Sequence, residues 1–345
     1  MNEERQKPTL VKIKRGPAEW IKMAFWGVLL VVVLAVFFVR PEPTPPWEYM
    51  DSGLNRIRGA APEIGEDTAL FGYMDLSGTI MHEAMVPGSV LTTQTYITPS
   101  RVRKELDAFR ERTDLNGVVL NITTPGGSVA ASDELARLIQ IFNSEEVPVY
   151  VYAPGLLASG GYYMAAPASA IFSAPQAMIG SIGVIFQSMN VQKLAEDKLG
   201  VKVRIFKEGQ YKDMGSPFKE LTSEEERIIQ EQIGDAYGAF LDTILSNRNI
   251  SQEELEKAAT GRIFTGKQAR EMKLVDDVLY LDQLRDRLNA AHDTKEIVFV
   301  RHREPASPLQ DLLQGMFAPS PRTVIDQLGP LSRIILPSGL YYLME

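Results

Sequence analysis

Ser159 and Lys212 carry the chemistry most readily read from this chain. Ser159 stands in Leu-Leu-Ala-Ser-Gly-Gly-Tyr-Tyr and Lys212 in Gly-Gln-Tyr-Lys-Asp-Met-Gly-Ser-Pro. Gly180-Ser181-Ile182-Gly183 lies between them, and Thr124-Pro125-Gly126-Gly127 lies upstream. A serine on a glycine-rich turn, a backbone cradle and a distant lysine are the parts of a hydrolase with a serine nucleophile and a lysine base. The apolar run VPVYVYA leads into the turn, and GGYYMAAPAS has the composition of a short helix leaving it. Strand, serine turn and helix expose a hydroxyl at a helix start, where the dipole favours developing negative charge. This is not the G-x-S-x-G elbow, because position 157 is Leu.

The serine needs a base. The chain has no cysteine and three histidines, His82, His292 and His302. None stands in a glycine-rich or apolar turn near the motifs, so the pattern argues against a Ser–His–Asp triad. A lysine serves instead when burial keeps an amine neutral. The residues alone do not select Lys212 over Lys207 or Lys219. Pro125-Gly126-Gly127 follows the apolar run GVVLNI and allows close backbone approach to a ligand, though an ordinary strand-to-helix loop reads the same way. Two other motifs fail. GRIFTGK at 261–267 is followed by Gln268, where a phosphate loop needs Ser or Thr. Ser216-Pro217-Phe218-Lys219 has the S-x-x-K spacing of penicillin-binding proteins, without a later SDN or KTG. No metal-ligand cluster and no cofactor motif is visible.

The elements that must position these residues alternate. The expected strands are ALFGYMDLSGTI with a break at Gly78, then GVVLNI, VPVYVYA, IFSA, SIGVIF and VKVRIFK. The expected helices start at Pro99 behind Thr98, at Ser128, after Ser159, in VQKLAEDKLG, and after Leu221 with Thr222 and Glu225 at capping-box spacing. Such alternation implies an α/β domain with parallel strand pairing.

Residues 23–39, MAFWGVLLVVVLAVFFV, hold no charge; extended by Trp20 and Ile21 they are long enough, at ~1.5 Å per residue, to cross a bilayer. No small-x-small site follows, which favours a retained anchor over a cleaved signal. Arg5, Lys7, Lys12, Lys14, Arg15 and Lys22 precede or open the span, so the charge rule places the amino end in the cytoplasm and the large domain outside it. The expected organisation is a basic cytoplasmic segment at 1–19, a transmembrane helix at 20–39, a Pro-rich linker and connector at 40–67, a catalytic domain at 68–303 and a Pro-interrupted apolar tail at 304–345. A net charge of -8 argues against nucleic acid as a partner.

Together, TTPGGSV, LLASGGYYMAAPAS, GSIGVI, YKDMGSP and GRIFTGKQAREMKLVDDV resemble the signal peptide peptidase A family, peptidase family S49, in its short bacterial form with one catalytic domain. The resemblance covers roughly residues 68–285. It implies a ClpP/crotonase-type α/β fold behind one amino-terminal transmembrane helix. It implies a membrane-anchored serine endopeptidase of the bacterial inner membrane with no cofactor. By that resemblance Ser159 is the nucleophile, Lys212 the general base, and Ser181 the hydroxyl that orients the lysine. Gly126 and Gly127 match the oxyanion loop, and the amide of Gly160 is expected to join it. Thr124 stands where family members often carry Ser; because amides do the work there, the change is expected to matter little. Implied partners are peptide substrates such as cleaved signal peptides, membrane lipid through the anchor, and further copies of the chain in a ring. An acyl-CoA enzyme on the same fold, or a non-catalytic membrane scaffold, are the alternatives.

Overall fold

The computed structural model describes Trp26 and residues 47–51, 64–65, 67–82, 95–145 and 147–302. The expected transmembrane span, except for Trp26, and the expected tail from 304 lie outside the described residues, as does most of the linker. Among the described residues no helix is long and apolar enough to cross a membrane. Trp26 is helical and exposed.

Residues 47–303 form one unit. Its centre is a seven-stranded sheet. In spatial order the strands are β1 (Trp47–Met50), β12 (Glu296–His302), β2 (Thr68–Ser77), β5 (Gly117–Thr123), β6 (Val149–Ala153), β8 (Ala170–Ser173) and β11 (Asp277–Val278). Every pairing is parallel except β1 with β12. The central strands β2 and β5 are apolar nearly throughout because both sheet faces are covered. Alternation along β2 divides them: Met74 and Leu76 face one core, and Ala69, Phe71 and Tyr73 face the other. The first core receives α1 (Pro99–Arg110) through Val102, Leu106 and Phe109, and α2 (Val129–Asn143) through Leu135, Ile139 and Phe142. The second receives α7 (Leu281–His292) through Leu284 and Leu288.

A smaller sheet builds the site. In it β7 (Leu156–Ala158) runs parallel to β9 (Met178–Gly180), and β9 pairs antiparallel with β10 (Ile263–Thr265). A third, two-stranded sheet joins β3 (Thr79–Ile80) to β4 (Tyr96–Ile97). The chain after β5 links all three layers. Thr124 bridges Leu157 of β7, and Gly127 bridges Ile80 of β3. The short α3 (Gly160–Ala165) follows β7 and is buried throughout.

The long α4 (Ser223–Asn247) begins with the expected capping box between Thr222 and Glu225, and α5 (Gln252–Ala258) and α6 (Gly266–Glu271) follow. Thr98 does stand before α1, yet its side chain makes no capping hydrogen bond. Thr265 of GRIFTGK caps α6, so that motif is a helix start. The expected strands in SIGVIF and VKVRIFK do not form. Residues 181–191 and 201–207 have no strand pairing, and the expected helix in VQKLAEDKLG reduces to a short π-helical turn, Leu194–Lys198. Branched apolar runs make strands only when a neighbouring strand satisfies their backbone, and no such neighbour is present in this unit. Trp47–Met50, inside the expected connector, does find one in β12.

Candidate active site

Ser159 occupies the position before α3 with φ 51° and ψ -125°. Residues other than glycine rarely hold a positive φ, and such a conformation persists only where its surroundings over-determine it. Three hydrogen bonds do so here. The Ser159 N–H donates to the Gly180 carbonyl at 2.8 Å, Ala158 N–H to Thr124 O at 3.1 Å, and Tyr163 N–H to Ser159 O at 3.0 Å. The serine backbone is thus clamped between β7, β9 and α3.

The loop after β5 is pressed onto this turn. A Cβ on Gly126, which has φ 95°, would lie 2.7 Å from the Gly160 nitrogen and 2.8 Å from Ser159 Cβ. Only glycine allows that approach. The peptide orientations sort the three expected oxyanion donors. The Gly126 N–H donates to the Thr124 hydroxyl at 3.0 Å, so it is occupied. The Gly126 carbonyl accepts from Ile80 N–H at 2.9 Å. Because N–H and C=O of one trans peptide point oppositely, the Gly127 N–H is turned away from β3. It faces the serine turn: a Cβ on Gly160 would lie 3.4 Å from the Gly127 nitrogen. Among the described residues the amides of Gly127 and Gly160 donate to nothing. Two unpaired N–H groups flanking a serine can hold an oxyanion. Gly126 contributes the turn and its carbonyl, while its own amide is spent on Thr124.

Gly127, Ser159 and Ser181 line one cleft of about 640 Å³, with Gly183, Ile185 and Gln230 among its other walls. Gly180 and Ser181 both have positive φ, 113° and 50°. Ser181 N–H donates to Arg262 O at 2.8 Å, which fixes this second strained serine against the segment leading into β10. The structure therefore brings Ser159, Ser181, Gly126, Gly127 and Gly160 together.

Lys212 is not among the residues lining that cleft. It lies on a long excursion between Ser181 and α4, in a turn where its N–H donates to Gly209 O at 3.2 Å. Val191 N–H to Pro217 O, at 2.7 Å, joins the two limbs of the excursion. The neighbouring lysines are both tied to carboxylates. Lys207 pairs with Asp213, and Lys219 pairs with Asp213 at 3.1 Å and with Glu225 at 2.6 Å. Hydrogen bonds from Lys207 and Lys219 hold the Asp213 carboxyl below its ordinary range; the Glu225 carboxylate, followed by Asp213, raises Lys219 above its own. Lys212 alone of the three has no ionic partner among the described residues. Lys212 is exposed in this unit, so the burial expected to keep a lysine base neutral is not present there.

Family comparisons cover the same stretch of chain. The model of peptidase family S49 matches residues 141–295, which include Ser159, Ser181 and Lys212. Over these residues the chain belongs to peptidase family S49. It is similar to an Enterococcus faecium protein named "Putative signal peptide peptidase SppA", with 28% identity over 92% of this chain and 95% of the other. It is 39% identical to "Putative protease MJ0651" of Methanocaldococcus jannaschii over 50% of this chain and 55% of that one. It is also 30% identical to "Serine protease SPPA, chloroplastic" of Arabidopsis thaliana over 67% of this chain and 34% of that one. This chain thus spans nearly all of the first relative and only part of the other two. As a member of family S49 it is a serine peptidase.

Thr124 is the site residue that sequence reasoning undervalued. It is fully buried, its hydroxyl accepts from Gly126, and its methyl occupies the space where a Cβ on Gly161 would come within 2.2 Å. The side chain at 124 thus takes part through its hydroxyl, a part the sequence reading leaves to the amides alone; serine would supply the same hydroxyl. Tyr163, Ala236 and Phe240, which line a second small cavity beside Ser159, also carried no signal in the sequence. Two of them come from α4, about eighty residues away along the chain. Among the described residues no group of His, Asp or Glu could hold a metal ion.

Proposed function

We propose that this chain is a membrane-anchored endopeptidase in which Ser159 attacks a peptide carbonyl and Lys212 takes its proton. The observation that carries this reading is the strained Ser159 turn facing the two unpaired amides of Gly127 and Gly160. As the carbonyl becomes tetrahedral, its oxygen moves into these donors, which are already oriented and need no reorganisation. Lys212 then passes the proton to the leaving amine, and a water repeats the sequence on the acyl-enzyme. Ser181, on the same cleft wall, is suited to orient the lysine amine. The mostly parallel central sheet with smaller sheets beside it supports the ClpP/crotonase-type fold named above. An extended substrate would pair with backbone near Gly127–Val129 on one side and Gly183–Ile185 on the other.

Lys212 must reach the cleft, and assembly supplies a route. The excursion that carries it exposes Ile185, Phe186, Met189, Leu199 and Phe206, the first and last being 88% and 91% exposed. Unpaired apolar chain of this kind is covered in a working protein. A second copy of the chain would bury it, giving the backbone of SIGVIF and VKVRIFK the partners they lack, and would carry Lys212 to a neighbour's Ser159. The ring-like homo-oligomer is proposed on that ground. Apolar, membrane-associated peptides such as cleaved signal peptides are the proposed substrates, met on the outer side of the inner membrane by a domain anchored through residues 20–39.

A fluorophosphonate probe on the purified full chain tests the nucleophile. Ser159 should be labelled and the label lost in Ser159→Ala with the fold unchanged. Labelling that persists in Ser159→Ala would remove the assignment.

A further inference from the structure

The segment that carries Lys212 has little apolar support of its own. Between Ile182 and Ile229 the one buried apolar residue is Ala195. The other hydrophobic side chains of that stretch are exposed or half-buried. Hydrophobic packing within one copy therefore does not fix where the lysine stands. The turn itself is made locally. Lys212 N–H donates to Gly209 O, Met214 N–H to Tyr211 O at 3.0 Å, and Ser216 N–H to Asp213 O at 3.0 Å. Bonds of this span give a turn its shape but no place in the domain. The Val191–Pro217 bond joins two limbs of the same excursion and anchors neither to the sheets.

The anchor is ionic. A single oxygen of Asp213, Oδ1, accepts from both Lys207 Nζ and Lys219 Nζ. Lys207 Nζ also donates to Gln210 O at 2.8 Å, which closes the turn on its amino side. Lys219 Nζ reaches on to Glu225 Oε1 at 2.6 Å. Glu225 is 2% exposed, and its second oxygen accepts the Thr222 N–H at 3.0 Å in the capping box of α4. The contacts thus run from the Lys212 turn, through Asp213 and Lys219, to a buried carboxylate in the first turn of α4. That helix is seated by the buried Ile229, Phe240 and Ile244, and its Gln230, Ile233 and Tyr237 line the cleft that holds Ser159. Asp213 is the link that cannot be spared. Two ammonium groups meet at its one oxygen, so losing its charge replaces two attractions by a repulsion. It is also the next residue after Lys212, so its displacement passes directly to the lysine backbone.

We propose that Asp213 is a positioning residue: through Lys219 and Glu225 it holds the turn bearing Lys212 against the start of the helix that walls the cleft, and so sets where the amine is presented. The inference rests on Lys212 as the base and adds the group that places it.

The experiment uses the full chain in detergent, unaltered and as Asp213→Asn, Asp213→Glu, Lys219→Met and the Asp213→Asn/Lys219→Met double variant. Turnover of one peptide gives kcat and KM. Hydrogen exchange reports on amides 209–216, and denaturation midpoint and oligomer mass are measured on the same samples. Asp213→Asn should lower kcat about tenfold to a hundredfold, the cost of shifting a reacting group by about an ångström, with KM within about twofold. Lys219→Met should do the same, and the double variant should lose no more than the worse single one, because both cut one chain of contacts. Asp213→Glu keeps the charge and should recover most of the turnover. Amides 209–216 should exchange faster in Asp213→Asn, with midpoint and oligomer mass unchanged. If Asp213→Asn turns over within about twofold of the unaltered chain while Lys212→Ala is inactive, this inference alone is overturned. A lowered midpoint or altered oligomer mass alongside the lost turnover would make Asp213 a structural residue and overturn it as well. So would additive losses in the double variant. An active Lys212→Ala overturns the base assignment and this inference together.

Discussion

Thr124→Val is the sharpest test of how the oxyanion loop is held. Valine keeps the shape of threonine and its buried methyl but removes the oxygen that accepts the Gly126 N–H at 3.0 Å. That amide lies in the interior, so its loss of a partner leaves a buried donor unsatisfied, at about 1–3 kcal/mol. The protein stays folded on that scale, since domains hold roughly 5–15 kcal/mol. The catalytic effect comes from the next peptide. Released at Gly126, the loop can rotate, and the Gly127 N–H leaves the line it holds against the serine turn. Removing one oxyanion donor outright costs about a hundredfold to a thousandfold in kcat; misaligning it should cost at least about tenfold. Thr124→Ser is the matched control. It keeps the oxygen and loses the methyl packed toward Gly161, at about 0.5–1.5 kcal/mol, the usual cost of one buried methyl. Both variants should be destabilised in chemical denaturation, the valine variant by as much or more, yet only the valine variant should lose kcat, with KM little changed. Equal turnover by the two, within about twofold, would refute the claim that the Thr124 hydroxyl aligns the oxyanion loop.

Gly160→Ala should abolish turnover and lower the denaturation midpoint, because the new methyl meets Ser132 Oγ at 2.2 Å and crowds one of the two donors; an active alanine variant would mean that the Gly160 turn relaxes freely. Ser159→Ala and Lys212→Ala should each be inactive alone. If Lys212 serves a neighbour's serine, coexpressing the two should restore activity at about a quarter of the sites, and no recovery would place both residues in one copy. Glu254 has its carboxyl lowered from 4.5 to about 2 by Lys273 and by the Ser251 cap of α5. A depressed carboxylate stabilises the fold above the unfolded value and ceases to as pH falls through the folded one. Glu254→Gln should therefore be less stable than the unaltered chain near neutral pH, with the gap closing between about pH 4.5 and pH 2; a gap independent of pH would contradict the pairing.

Much of this protein was legible along the chain because its causes are local. Apolar runs bounded by glycine and proline made β2, β5 and β6 readable, and the spacing of Thr222 and Glu225 marked the start of α4. Ser159 could be found because the strand before it and the helix after it are its immediate neighbours. Other features depended on partners far away in sequence. Trp47–Met50 is a strand only because Glu296–His302 lies beside it, and SIGVIF and VKVRIFK, which look more strand-like, have no such neighbour in this unit. Lys207 and Lys219 are held by carboxylates and Lys212 is not, a difference of side-chain placement that spacing does not encode. The same holds for the oxyanion loop. Two adjacent glycines announce a cradle, but only the hydrogen bonds of Thr124 and Ile80 decide that the Gly126 amide is spent and the Gly127 amide is free. Residue type sets what chemistry is available, and the direction in which each peptide points, fixed by contacts between layers, sets where that chemistry happens.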